Sequence, residues 1–126
     1  MDQTHFTASE LRKLAVLINC FTAIGGQMLV KNGETYRQAF SNLQKFRRNN
    51  KEFLERVHSA ALEHGAVSAL RLSEDLERQP TDTIKIIGMV HRCLEASTFL
   101  SHCIAASEQK IAFQAAGEHR MERRLH

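Results

Sequence analysis

The stretch HRCLEASTFLSHC, residues 91–103, is the one whose reading decides the fold. Two histidines and two cysteines this close together suggest a metal site or a redox pair. The stretch also lacks glycine and proline, so it can equally be the interior of a helix. Wound at 100° per residue with His91 at zero, Cys93 and Leu100 fall between about 180° and 260°, with Ile86, Val90, Ile104 and Ile111. That arc is an apolar seam, and Cys103, at about 120°, lies on its flank. His91 and His102 fall within about 20° of each other on the opposite face, roughly 16 Å apart along the axis. Ligands must come within about 2 Å of a zinc ion, so these two histidines cannot share one. The two cysteines on one rod are likewise too far apart to bond. The stretch therefore reads as the two sides of a helix, with a seam that packs in the core or against a second copy. No metal site is expected.

Outward from this segment, no proline follows Pro80 and no glycine lies between Gly88 and Gly117. The pattern predicts one long helix from Thr83 to about Gly117, started by Asp82 or Thr81 after the Gln79-Pro80 break. A bend near Ser107 would be compatible with it. Residues 118–126 are expected to fray as a tail, and residues 1–6 to form another. Thr7 and Glu10 have the spacing of a capping box. Behind them Leu11, Leu14, Ile18, Phe21, Gly25 and Met28 recur at helical spacing, and Asn32-Gly33 offers a stop. Tyr36, Phe40, Leu43 and Phe46 mark a second helix over about 34–48. Asn49 with Glu52 starts a third, carrying Phe53, Val57, Ala60 and Ala61 and ending or bending at His64-Gly65. A helical continuation over 66–78 would add Val67, Leu70 and Leu76 to the apolar surface. The expected fold is all-α: a compact bundle of four to five helices with a long C-terminal helix, in a single domain spanning 1–126.

Composition agrees. At 126 residues, with 43% apolar and 25% charged residues, the chain has enough material to bury a core without disulfides or metal. Three cysteines without a CxxC pair favour a reducing cytoplasm over a secreted disulfide framework. Residues 14–30 are uncharged, which raises the question of a membrane span. The segment is at the short end for one, and Asn19, Thr22, Gln27 and the glycine pair dilute it. As a signal peptide it lacks a basic leader and a cleavage site. It reads instead as a buried helix, with Gly25 on the apolar arc so that another helix can approach closely. The Gly25-Gly26 pair follows no strand and precedes no P-loop lysine, and no cofactor is expected.

The net charge is +3, and it is concentrated. Between Lys31 and Arg56 basic residues outnumber acidic ones by seven to three, whereas residues 59–84 hold two basic and five acidic. Arg37, Gln44 and Arg48 share one face of the second helix, with Lys45, Arg47 and Lys51 nearby. This patch suits an acidic protein surface, and it also suits nucleic acid phosphates. His91 and Glu95 at i, i+4 allow a carboxylate-assisted base, or merely a solvated helix face, and no nucleophile accompanies them. The leading expectation is a non-enzymatic protein–protein interaction module, an adaptor, chaperone or inhibitor that occludes a partner's surface. Small regulators of bacteria, plasmids and phages are an analogy. The alternative is a nucleic-acid-binding regulator using the patch over 37–51. The C-terminal helix is longer than the domain needs, and its surplus predicts a homodimer.

Overall fold

A computed structural model of the chain describes residues 5–30, 33–65 and 81–124, with side chains described through Gly117. Among these residues there are four helices and no strand: α1 (Ala8–Met28), α2 (Gly33–Asn49), α3 (Lys51–Glu63) and α4 (Thr83–Arg124). The all-α expectation holds. The helical continuation expected over 66–78 lies outside the described residues, as does Pro80.

The caps explain where the helices start. Thr7 accepts the Glu10 N–H at 3.3 Å while the Glu10 carboxylate accepts the Thr7 N–H at 2.9 Å, a complete capping box. Asp82 accepts the Ile84 N–H at 2.9 Å and begins α4. Asn50, not Asn49, precedes α3, and it makes no side-chain cap there. Its amide turns back and donates to the Phe46 carbonyl at 3.0 Å, closing the end of α2 instead. Gly65, with φ at 71°, ends α3 in the left-handed conformation that glycine adopts without steric cost.

Two further boundaries differ from the sequence expectation. α1 stops at Met28, and Leu29 and Val30 donate to the Gly26 and Gln27 carbonyls in a tightened last turn. Gly33, expected as its stop, opens α2 instead. At the other end α4 runs through Gly117 to Arg124, where a tail was expected. A glycine ends a helix by leaving it for positive φ, and Gly117 stays helical, followed by good helix formers. Residues 125–126 lie outside the described residues.

α1 and α4 form the centre, packed antiparallel. Gly25 meets Cys93, Thr22 Oγ1 lies 3.5 Å from Ser97 Oγ, and Phe6, just before α1, reaches Ser107. A Cβ placed on Gly25 would stand 3.4 Å from the Cys93 Cβ, so the two helices touch there with nothing between them. The buried side of α4 consists of Cys93, Ala96, Phe99, Leu100, Cys103 and Ser107. It is rotated from the seam read off the sequence. Cys93 and Leu100 are buried, whereas Ile86, Val90, Ile104 and Ile111 are half-buried at the edge and Cys103 is fully enclosed. Small side chains let α1 approach more closely than a row of isoleucines would, so α1 settles over Ala96 and Cys103. α2 packs on α1 through Tyr36, Ala39 and Leu43. α3 contributes Phe53, Val57, Ala60 and Ala61 to the same core.

His5 and Phe6, expected in a loose tail, are tied down. Phe6 is only 4% exposed and meets the Phe53 ring edge-on at 6.0 Å. Its N–H donates to Ser107 Oγ at 2.8 Å, and that hydroxyl donates to the Cys103 carbonyl at 2.6 Å, so this buried serine is satisfied on both counts. Arg56 lies over the Phe6 ring at 4.5 Å, bonds the His5 carbonyl and meets Glu10 Oε1 at 2.6 Å. One aromatic residue outside any helix thus joins α3, α4 and the start of α1.

Gly25 and Gly26 should respond oppositely to substitution. Gly25→Leu forces α1 off Cys93 and should cost about 1–3 kcal/mol. Nothing lies within 4 Å of a Cβ on Gly26, so Gly26→Ala should gain about 1 kcal/mol of helix propensity, both read by urea unfolding.

Glu10 gives a second test. Partial burial alone would raise its carboxyl pKa, but the Thr7 N–H and hydroxyl and the Arg56 guanidinium outweigh this and hold it below the ordinary value of 4.5. A depressed folded pKa means that the stabilisation is present above the unfolded value and is lost as pH falls through the folded one. Glu10→Gln should therefore lower stability at neutral pH and flatten the acid limb of the stability profile.

Candidate functional site

The corner between α2 and α3 carries the positive charge. Gln44, Arg47, Arg48 and Lys51 line one open recess of about 630 Å³, together with Leu54, Glu55, His58 and Ser59. Four of the six patch residues expected from the sequence therefore meet in one place. Arg37 and Lys45 are exposed but do not line it. Arg37 lies on the Gln44 stripe about 10 Å nearer the start of α2 and extends the patch, whereas Lys45 points about 100° away from it.

The recess has a definite character. Leu54 supplies a half-buried apolar floor, Arg47 and Gln44 are half-buried, and Arg48 and Lys51 stand exposed on the rim. Arg48 and Lys51 also line a second hollow of about 550 Å³ beyond the ridge, which contains Lys13, Asn49 and Asn50 together with the acidic Glu10 and Glu52. Because the Asn50 amide turns back to Phe46, Asn50 does not cap the amide groups at the start of α3. A helix start left uncapped adds to the preference for negative charge. Arg56 is less available, since Glu10 and the His5 carbonyl hold it. Glu55 is the one acidic group in the first recess, and it works against a row of phosphates.

The histidines gather elsewhere. His64, at the end of α3, sits 5.9 Å from the His102 ring and 6.1 Å from the Phe99 ring. His91 Nε2 lies 2.9 Å from Glu95 Oε1, in a pair exposed enough to contribute little stability. Together with Gly65, Leu94 and Thr98 these groups line a hollow of about 740 Å³ on the outer side of α4. His64 is the member that sequence reasoning missed. It comes from a distant helix end, and no local spacing announces it. Among the described residues no three histidine, cysteine or acidic side chains converge as metal ligands do. The hydroxyl beside the His91–Glu95 pair is that of Thr98, which donates to the Leu94 carbonyl at 2.8 Å.

A fourth hollow, of about 330 Å³, lies where α1 and α4 part beyond Gly25. Its lining is almost wholly apolar and includes Gly26, Leu29, Val90 and Leu94. The cysteines serve the interior. Burial pushes the Cys93 thiol up to about 11, against a small opposing effect of Arg92. Burial, with Cys93 as a neighbour, pushes the Tyr36 hydroxyl up to about 12. None of the three cysteines is in a disulfide.

Compared with known proteins, the chain matches no family model, no curated protein and no solved structure. Among the described residues no helix is long and apolar enough to cross a membrane.

Thiol chemistry checks this placement. Cys93 and Cys103 are buried and Cys20 is half-buried, its thiol raised by that burial. A disulfide reagent at mildly alkaline pH should modify Cys20 alone, slowly, in the native chain. All three should react after unfolding.

Proposed function

We propose that the chain is a non-enzymatic interaction module that places the recess between α2 and α3 on an acidic, partly apolar surface of a partner protein and acts by covering it. One observation carries this reading: Gln44, Arg47, Arg48 and Lys51 meet around a floor made by Leu54. A basic rim over an apolar floor is the complement of a protein segment that mixes carboxylates with a buried side chain. A phosphodiester backbone offers nothing for Leu54 and is repelled by Glu55. Such a module needs helix faces and a fixed patch, and α2 and α3 supply both. As an adaptor, chaperone or inhibitor it would work in a reducing compartment, the cytoplasm, where its three thiols stay reduced. We also read the chain as a homodimer, so that each particle presents two such recesses.

The nucleic-acid reading keeps one point in its favour: Arg37 extends the patch along α2 toward a span of several phosphates. It predicts binding that weakens steeply with salt. The two readings part in one experiment. The full-length tagged chain is used to capture partners from its native host, with and without nuclease. A protein partner should survive nuclease, and its affinity should fall by roughly tenfold or more with Arg48→Glu and Lys51→Glu, while helicity is unchanged. Capture abolished by nuclease would transfer the function to nucleic acid. Capture indifferent to the charge reversal would remove the recess from either reading.

A further inference from the structure

The two most exposed large apolar side chains described are Ile84, at 80%, and Phe113, at 78%. They lie toward opposite ends of α4, about 44 Å apart along the axis, and cannot cover each other within one chain. Ile84 lies on the face turned away from α1, and Phe113 borders that face. Read in sevens, that face carries Ile84, Ile87 and Leu94 in its first half and Ala105, Ala112 and Ala115 in its second, all exposed. Such an asymmetry, large residues followed by small ones at matching spacing, lets a helix face fit its own antiparallel copy.

We propose that α4 pairs with α4 of a second copy, antiparallel, about a two-fold axis between Phe99 and Leu100. This rests on the homodimeric reading above and specifies its surface. In this register Thr98 meets Ser101 of the second copy, Leu94 meets Ala105, Ile87 meets Ala112, and Ile84 meets Ala115. Each large side chain faces an alanine, which permits the close helix spacing of antiparallel pairs. The polar positions also match. His91 falls opposite Glu108, and on one flank Glu95 falls opposite His102. On the other flank Val90 meets Ile111, two side chains that α1 leaves half-buried.

A parallel pair would set isoleucine on isoleucine, alanine on alanine and Glu108 on Glu108, combining poor packing with like charges. The hollow walled by His64 and Gly65 runs over the centre of this face and receives the second helix. From Ile84 to Ala115 the contact extends for about 47 Å and engages roughly twenty residues a side, the size of a specific interface. Past Ser107 every described residue of α4 except the half-buried Ile111 is exposed, so the second copy also covers the part of α4 that α1 does not reach.

The test uses the full-length chain. Light scattering at tens of micromolar should give the mass of a dimer. Leu94→Lys and Ile87→Lys, both at exposed sites, should each give a helical monomer. His91→Glu and Glu108→Lys should each weaken the dimer by roughly tenfold, and together restore it to within a few-fold of the parent. Within one chain these two positions are about 25 Å apart, so only a second copy can couple them. A parent chain that stays monomeric overturns the homodimeric reading and this interface together. A dimer indifferent to Leu94→Lys, or one that the paired charge reversal does not restore, overturns this interface and leaves the homodimer to another surface. Neither result touches the recess between α2 and α3, which carries its own charge-reversal test.

Discussion

The close approach of α1 to α4 at Gly25 and Cys93 sets the terms for the rest of the molecule. With van der Waals contact at that point, the two helices run antiparallel, and the rows that meet must be small. Ala96, Cys103 and Ser107 continue the small row on α4, and α1 lays Leu17, Phe21 and Ile24 into the same core. Burial at this line accounts for the chemistry of its polar atoms. The Cys93 thiol and the Tyr36 hydroxyl are held neutral, and Ser107 spends its hydroxyl on the backbone of Phe6 and Cys103. The cysteines that suggested reactivity are packing elements whose merit is size.

The contact also has a definite extent. It begins near Val90, where α1 ends, and stops at Ser107, where Phe6 crosses. α4 is longer than that at both ends. Phe6 closes the far end by wedging between α3 and α4 under the Arg56 guanidinium, and so fixes where α3 lies. That placement in turn brings Arg47 and Arg48, at the end of α2, beside Lys51 and Leu54, at the start of α3. The recess at this corner is therefore a consequence of core packing. Its side chains were already basic, but their convergence depends on a turn closed by Asn50 and on an aromatic anchor two helices away.

α4 separates two tasks on its two sides. The side under α1 is built of small and aromatic residues and belongs to the chain's own core. The opposite side carries a sparse, regular row of isoleucine, leucine and alanine interrupted by histidine and glutamate, all exposed. His64 borders that side from α3, and Leu29 borders it from α1. The basic recess is a separate feature on α2 and α3, so the proposed self-pairing and the proposed binding of a partner use different surfaces.

Much of this was legible in the residues. Helical periodicity, the Thr7–Glu10 capping box, the Asp82 start and the Gly65 stop all depend on interactions within a few positions, and local sequence encodes such interactions directly. The basic run over 37–51 was equally plain. What sequence could not fix was which side of a helix faces its neighbour. Periodicity located an apolar arc on α4, yet the buried line settled toward Ala96 and Cys103, because packing rewards close approach as well as hydrophobicity. Phe6 looked like tail because its partners, Phe53, Arg56 and Ser107, are distant in sequence, and His64 joined His102 for the same reason. The amino-acid sequence by itself determined the described helices, several of their caps and their charge. Only the tertiary structure decided which faces meet, since that choice depends on the shapes of two surfaces at once and neither surface contains the other's half of the information.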